Sequence, residues 1–267
     1  MSVVAVGEIE LDVERSGSGP PLLAIMGMSG TALHWGRPFL EALGAHFEVI
    51  AYDHRGVGAS TALSGQISVG EMAEDANGLL EALEIDSAHV LGISMGGMVA
   101  QELALAHPER IRSLTLGCTY AGGETSTRPD ASVLGGVFEA MQSGDRDRAL
   151  RASWEINVSA STAADAAAYA DFLAIAAERS VAAKVIMAQA QAVLAHDTGA
   201  RLGSLSMPTL VIHGTEDQLL PVENGSTIAG LIPGARLEIL DGVGHMFFIE
   251  QPERAAELIR SHALPSS

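Results

Sequence analysis

Six short apolar runs, at residues 22–26, 49–52, 89–93, 114–116, 209–212 and 237–240, most tightly limit what this chain can fold into. Most are apolar at every position rather than at alternate ones, as strands buried on both faces of a parallel sheet should be. Helical patterns separate them. Ser68 followed by Glu71 forms a capping box, and Met72, Ala76, Leu79, Leu80 and Leu83 then make one apolar stripe. A helix starting near Met95 should stop at His107, because Pro108 disfavours helical backbone in the residue before it. A third opens with Pro252 in its first turn and runs through Ala255, Leu258 and Ile259. This alternation predicts an α/β fold, a mostly parallel open sheet flanked by helices. Residues 3–13 read as an antiparallel hairpin on the sheet edge.

The alternation breaks over residues 120–201. Apolar residues there, among them Val137, Leu150, Trp154, Phe172, Ile175, Val185, Met187 and Val193, recur at helical spacing without a strand run. The stretch is too long for an ordinary crossover. It is read as a helical cap insertion over one end of the sheet, between core segments 1–119 and 202–267.

Composition narrows the function classes. The net charge of −18 disfavours nucleic acid and anionic membrane surfaces, both of which need clustered Lys and Arg. No leader pattern opens the sequence, no apolar run reaches membrane-spanning length, and Cys118 is the lone cysteine. A cytoplasmic protein is the expectation. With no H-E-x-x-H pair, Cys/His cluster, phosphate-binding G-x-x-x-x-G-K-[ST] loop or complete G-x-G-x-x-G, neither metal nor nucleotide cofactor is expected.

The chemical signal is Gly92-Ile93-Ser94-Met95-Gly96, a G-x-S-x-G sequence between a strand and a helix. A chain turning that sharply pushes its central residue into a strained conformation. Glycines two positions either side relieve the crowding, and Ser94 is left projecting at the carboxyl edge of the sheet. Asp217 follows the run ending at Ile212, and His245 the run ending at Leu240, so parallel strands deliver both to that edge. A serine hydroxyl needs a base to attack, and His245 supplies it while Asp217 fixes the imidazole. Glu216 and, more remotely, Glu124 remain rival acids.

With these residues in place, the sequence resembles α/β-hydrolase-fold serine hydrolases of the esterase, lactonase and non-haem haloperoxidase type. Asp53-His54-Arg55-Gly56-Val57-Gly58-Ala59-Ser60 is similar to that family's D-x-R-G-x-G-x-S segment, and Gly244-His245 with Glu250 and Pro252 to its histidine loop. The family opens its oxyanion loop with His-Gly; here Met26-Gly27-Met28 puts Met in place of that His. By resemblance the oxyanion donors are the backbone N–H groups of Met28 and Met95. Gly27, Met246, Trp154 and Phe172 are candidate substrate contacts. The expected partner is a small-molecule ester or lactone with a largely apolar acyl or alcohol part, with oligomeric state open. Enol-lactone or C–C bond hydrolysis, and a ligand-binding receptor that retains the pocket, stand as alternatives.

Overall fold

The computed structural model describes residues 2–265, apart from the side chains of Leu134 and Met141. Eight strands form one sheet: β1 (Ser2–Val6), β2 (Ile9–Gly17), β3 (Pro21–Ile25), β4 (Glu48–Tyr52), β5 (Ala88–Ile93), β6 (Ile111–Gly117), β7 (Thr209–Gly214) and β8 (Arg236–Leu240). Their order across the sheet is β1-β2-β4-β3-β5-β6-β7-β8. The β1–β2 hairpin and its junction with β4 are antiparallel, and every other pairing is parallel.

The continuous apolar runs follow from burial on both sides. Leu23, Ile25, Ile50, Tyr52, Val90, Leu114 and Val211 point to one face. There they meet Met72 and Leu79 of α2 (Val69–Ala82), Met98 and Leu103 of α3 (Met95–Ala106) and Ile228 of α9 (Glu223–Leu231). The intervening residues Leu22, Ala24, Val49, Ala51, Leu91, Leu210 and Ile212 meet Phe39 and Leu43 of α1 (Arg37–Gly44). Ala255 and Ile259 of α11 (Pro252–Ala263) complete that second face, behind the single turn of α10 (Phe247–Glu250). Each such side chain withdrawn from water contributes about 1.5–3 kcal/mol. β8 departs from the rule: it is an edge strand, and its Ile239 is exposed.

The capping box forms as expected, with the Glu71 amide donating to Ser68 Oγ and the Ser68 amide to Glu71 Oε2. α3 ends at Ala106, one residue short of His107, and α11 begins on Pro252. Between β6 and β7 lie α4 (Ala131–Gln142), α5 (Arg146–Asn157), α6 (Ala160–Ala163), α7 (Ala166–Glu178) and α8 (Ala183–Ala195). The only bridge recorded there among the described residues is the isolated Gly122–Asp197 pair.

Register fixes where the chemistry emerges. Ile25 pairs with Gly92, Ile93 with Gly117, Gly117 with Ile212, and Gly214 with Leu240. The loops that follow β3, β5, β6, β7 and β8 therefore leave the sheet along one edge.

Candidate active site

Ser94 stands at φ 55° and ψ −123°, between β5 and α3, where a non-glycine residue is held only by its surroundings. Here the turn is locked by the Ser94 amide donating to Gly117 O (3.0 Å) and by Thr119 Oγ1 donating to Ser94 O (2.7 Å). The flanking glycines have a steric cause. A Cβ on Gly92 would lie 2.2 Å from Gly96 O, and one on Gly96 would lie 2.0 Å from Ile25 O. No side chain fits at either position. Gly27 closes in from β3, where a Cβ would come within 3.1 Å of Ser94 Cβ.

His245 Nδ1 lies 2.7 Å from Asp217 Oδ2, and both residues are buried. The other carboxylate oxygen of Asp217 accepts the amides of Leu219 and Leu220, each at 2.9 Å. Burial pushes the Asp217 carboxyl up, but the adjacent His245, hydrogen-bonded to it, and His213 beside it hold it well below the usual carboxylate range. It stays ionised, ready to orient an imidazole and stabilise its cation. Ser94 Oγ has no hydrogen-bond partner among the described residues. Serine–histidine contacts in unliganded sites are commonly long and tighten once substrate binds.

The rival acids are occupied elsewhere or exposed. Glu216 Oε2 accepts the Ala160 amide at 3.0 Å. Glu124 sits exposed in a short turn over Gly123–Thr125.

The amides of Met28 and Met95 make no hydrogen bond to protein among the described residues; Met95 follows Ser94 in the chain, and Met28 follows Gly27, which packs against Ser94. Met26 is buried in the core against Gly30, whose Cβ would lie 2.5 Å from Met26 Cγ. The loop is steadied instead by His54 Nε2 bonding to Met26 O (3.0 Å) and by Gln189 Oε1 accepting the Ser29 amide (2.9 Å). Asp53 Oδ1 accepts the Ala32 amide at 2.7 Å, so the D-x-R-G segment shapes this loop through its aspartate.

Trp154, Phe172 and Met246 line one cavity of about 1060 Å³, shared with Leu33, Trp35 and Ile175. Trp154 is buried, with its ring centroid 5.3 Å from that of Phe172. Ser94 and His245 do not line this cavity; Met246, next in sequence to His245, does. Gly27 stands apart from it, against Ser94.

Several site residues escaped sequence reasoning. Glu250 Oε1 accepts the amides of Gly244 (2.8 Å) and Ser159 (3.1 Å), and Glu250 also takes the hydroxyls of Ser159 and Thr162. Arg179, just past α7, donates to buried Asp12 (2.7 Å) and Asp53 (2.8 Å). Cys118, buried at φ 40°, lies within 4.8 Å of the polar atoms of Asp217 and His245. That trio is the one metal-sized grouping among the described residues, and its carboxylate and imidazole are engaged with each other. Burial, and next the Asp217 charge, push the Cys118 thiol up, so it keeps its proton. Of these only Glu250 had a local signal, its place in the Gly244-His245 to Pro252 segment, and that did not reveal the Ser159 and Thr162 contacts.

Comparison with known proteins agrees with this fold. A family model described as the alpha/beta hydrolase fold matches residues 20–252. The chain is 32% identical over 259 residues to a putative carbamate hydrolase, RutD, of Azorhizobium caulinodans, covering 95% of this chain and 94% of that one. A hydrolase from Pseudomonas aeruginosa superposes with a TM-score of 0.84 at 30% identity, covering 99% and 98% of the two chains. Est816, described as an N-acyl homoserine lactone degrading enzyme, superposes with a TM-score of 0.78 at 29% identity, covering 97% and 99%.

Proposed function

The chain belongs to the alpha/beta hydrolase fold family, and on that premise we propose that it is a serine hydrolase acting on a carboxylic ester or lactone with a largely apolar acyl or alcohol part. The observation that carries this reading is the ionised, buried Asp217 at 2.7 Å from His245 Nδ1, on the edge where Ser94 is held in its strained turn. Ser94 is the nucleophile, His245 the base and Asp217 its orienting acid.

His245 Nε2 takes the Ser94 hydroxyl proton as Oγ attacks the carbonyl carbon. The oxyanion that forms accepts from the Met28 and Met95 amides, a contact worth about 3–4 kcal/mol of transition-state stabilisation per donor. His245 then returns the proton to the leaving alkoxide. Water, activated by the same imidazole, releases the acyl group from Ser94. In a lactone the leaving alkoxide remains tethered, so the product is a single hydroxy acid.

Residues 120–201 serve as a cap over this edge, with segments 1–119 and 202–267 forming the core. The contacts of Gln189 with Ser29 and of Ser159 with Glu250 favour that role. Gly27 and Met246 contact the reacting group, while Trp154 and Phe172 wall the apolar part.

A second reading, carbamate hydrolysis, is favoured by the name of the Azorhizobium relative. The same triad would attack a carbamate carbonyl and expel an alcohol or amine. The experiment is labelling with a fluorophosphonate probe, then kinetics on esters, lactones and carbamates of graded length. Labelling should fall on Ser94, and Ser94→Ala should lose both labelling and turnover while keeping its fold. Undiminished turnover by that variant would overturn the mechanism, and the ranking of substrates decides the bond.

A further inference from the structure

Asp217 has a second imidazole beside it. His213, in β7, is fully buried, and its Nε2 lies 2.7 Å from Leu220 O and 3.2 Å from Asp217 Oδ2. Leu220 O only accepts, so Nε2 carries the hydrogen and directs it there, with Asp217 Oδ2 beside the ring. His213 Nδ1 is buried with no partner in the structure. A hydrogen on Nδ1 would be a desolvated donor with nothing to receive it, so the ring's working donor is Nε2–H.

The ring cannot turn away. A Cβ on Gly225 of α9 would lie 2.8 Å from His213 Nδ1, which shows how closely that helix backs the imidazole. The network also closes on itself, because Leu220 accepts from His213 through its carbonyl and donates to Asp217 Oδ1 through its amide. The titratable groups around the carboxylate are His245, His213 and the Cys118 thiol.

We infer that His213 is a positioning residue of the proposed triad: its Nε2–H holds the Leu220 carbonyl, and so fixes the Leu220 amide on Asp217 Oδ1 while Oδ2 faces His245. The inference rests on the serine-hydrolase reading above. Without that donor, the turn whose Leu219 and Leu220 amides grip Asp217 Oδ1 would loosen. The carboxylate would be freer to rotate and more basic, and it would hold the imidazolium more tightly.

The test is a pair of variants of similar size and polarity. His213→Gln keeps an amide N–H at the reach of Nε2, whereas His213→Asn reaches only as far as Nδ1 and leaves Leu220 O without its donor. On the best ester found, the Asn variant should lose about tenfold to a hundredfold in kcat, the size of losing the Leu220 amide hydrogen bond to the charged Asp217 Oδ1, with KM nearly unchanged. The acid limb of its pH–rate profile should move up by about half a unit to one unit. The Gln variant should stay within about threefold of the parent, with its acid limb in place. Equal impairment of the two variants, or an Asn variant with parental kcat and an unmoved limb, would overturn the role. Ser94→Ala, run alongside, separates the two levels: if that variant still turns over, the hydrolase mechanism itself falls. If it is inactive while His213→Asn behaves as the parent, only the positioning role falls.

Discussion

Glu250 is the residue whose removal should disturb most at once. Its carboxylate receives two backbone amides, Gly244 at 2.8 Å and Ser159 at 3.1 Å, together with the hydroxyls of Ser159 and Thr162. Gly244 precedes the base, and Ser159 caps α6, so one side chain joins the histidine loop to the helices between β6 and β7. The two backbones meet directly, since a Cβ on Gly244 would lie 2.5 Å from Val158 C. Hydrogen bonds to a charged group contribute about 1.5–3 kcal/mol each, so the two amides alone amount to roughly 3–6 kcal/mol. Glu250 is only half-buried and water can replace part of this, so Glu250→Ala should cost about 2–4 kcal/mol. At this chain length that corresponds to a melting temperature lower by roughly 5–15 °C. Glu250→Gln keeps an oxygen for both amides, and its NH₂ can donate to hydroxyls that rotate to accept, so about 1 kcal/mol is expected. Thermal unfolding followed by circular dichroism gives the first number. Initial rates measured well below the transition give the second, and they should fall for Ala far more than for Gln. An Ala variant with parental stability and rate, or a Gln variant as impaired as Ala, would refute the clamp.

Asp217→Asn should lower kcat by about a thousandfold or more with KM little changed, while Glu216→Gln, which loses only the contact to the Ala160 amide, should be mild. The depressed carboxyl of Asp217 stabilises the fold above the ordinary carboxylate range and loses that contribution as pH falls through its lowered value. The Asn variant should therefore be less stable than the parent at pH 7, and the gap should narrow below about pH 4; a constant gap would count against the assignment. Phe172→Ala, at a half-buried wall of the cavity, should shift preference among chain lengths by about tenfold to a few hundredfold while sparing the smallest ester; equal losses on all esters would point to misfolding instead.

What was legible in the sequence was periodic or local. Strands β3 to β7 could be read because burial on both faces demands an apolar residue at every position, and the Ser68–Glu71 box because its partners are three residues apart. The Ser94 turn could be read because its glycines answer steric contacts set by the turn itself. The tethers were not legible. Gln189 and Ser29 are 160 residues apart, Arg179 and Asp12 are 167 apart, and Glu250 and Ser159 are 91 apart. A polar pair formed only by folding leaves no spacing to detect, and each of these side chains on its own reads as an ordinary surface residue.

Those tethers bear on how substrate enters. A helical insertion reached through loops invites the picture of a lid that lifts as one body. Lifting α8 would strip Ser29 of its acceptor on the proposed oxyanion loop and withdraw Ala188 and Ala192 from the core they share with α2 and α3. Withdrawing Arg179 would leave Asp12 and Asp53 buried side by side without their shared cation, a loss of about 3–5 kcal/mol for a broken buried pair. Glu250 holds the α5–α6 junction on the opposite side. Against this, α7 contains no fully buried side chain, yet it supplies Phe172 and Ile175 to the cavity wall. Displacing α7 between its anchored ends breaks no buried ion pair, whereas lifting the whole insertion breaks at least one. Opening by α7 alone is therefore the cheaper route, because it moves the Phe172 and Ile175 wall of the cavity while leaving the tethers at Ser29 and Glu250 in place.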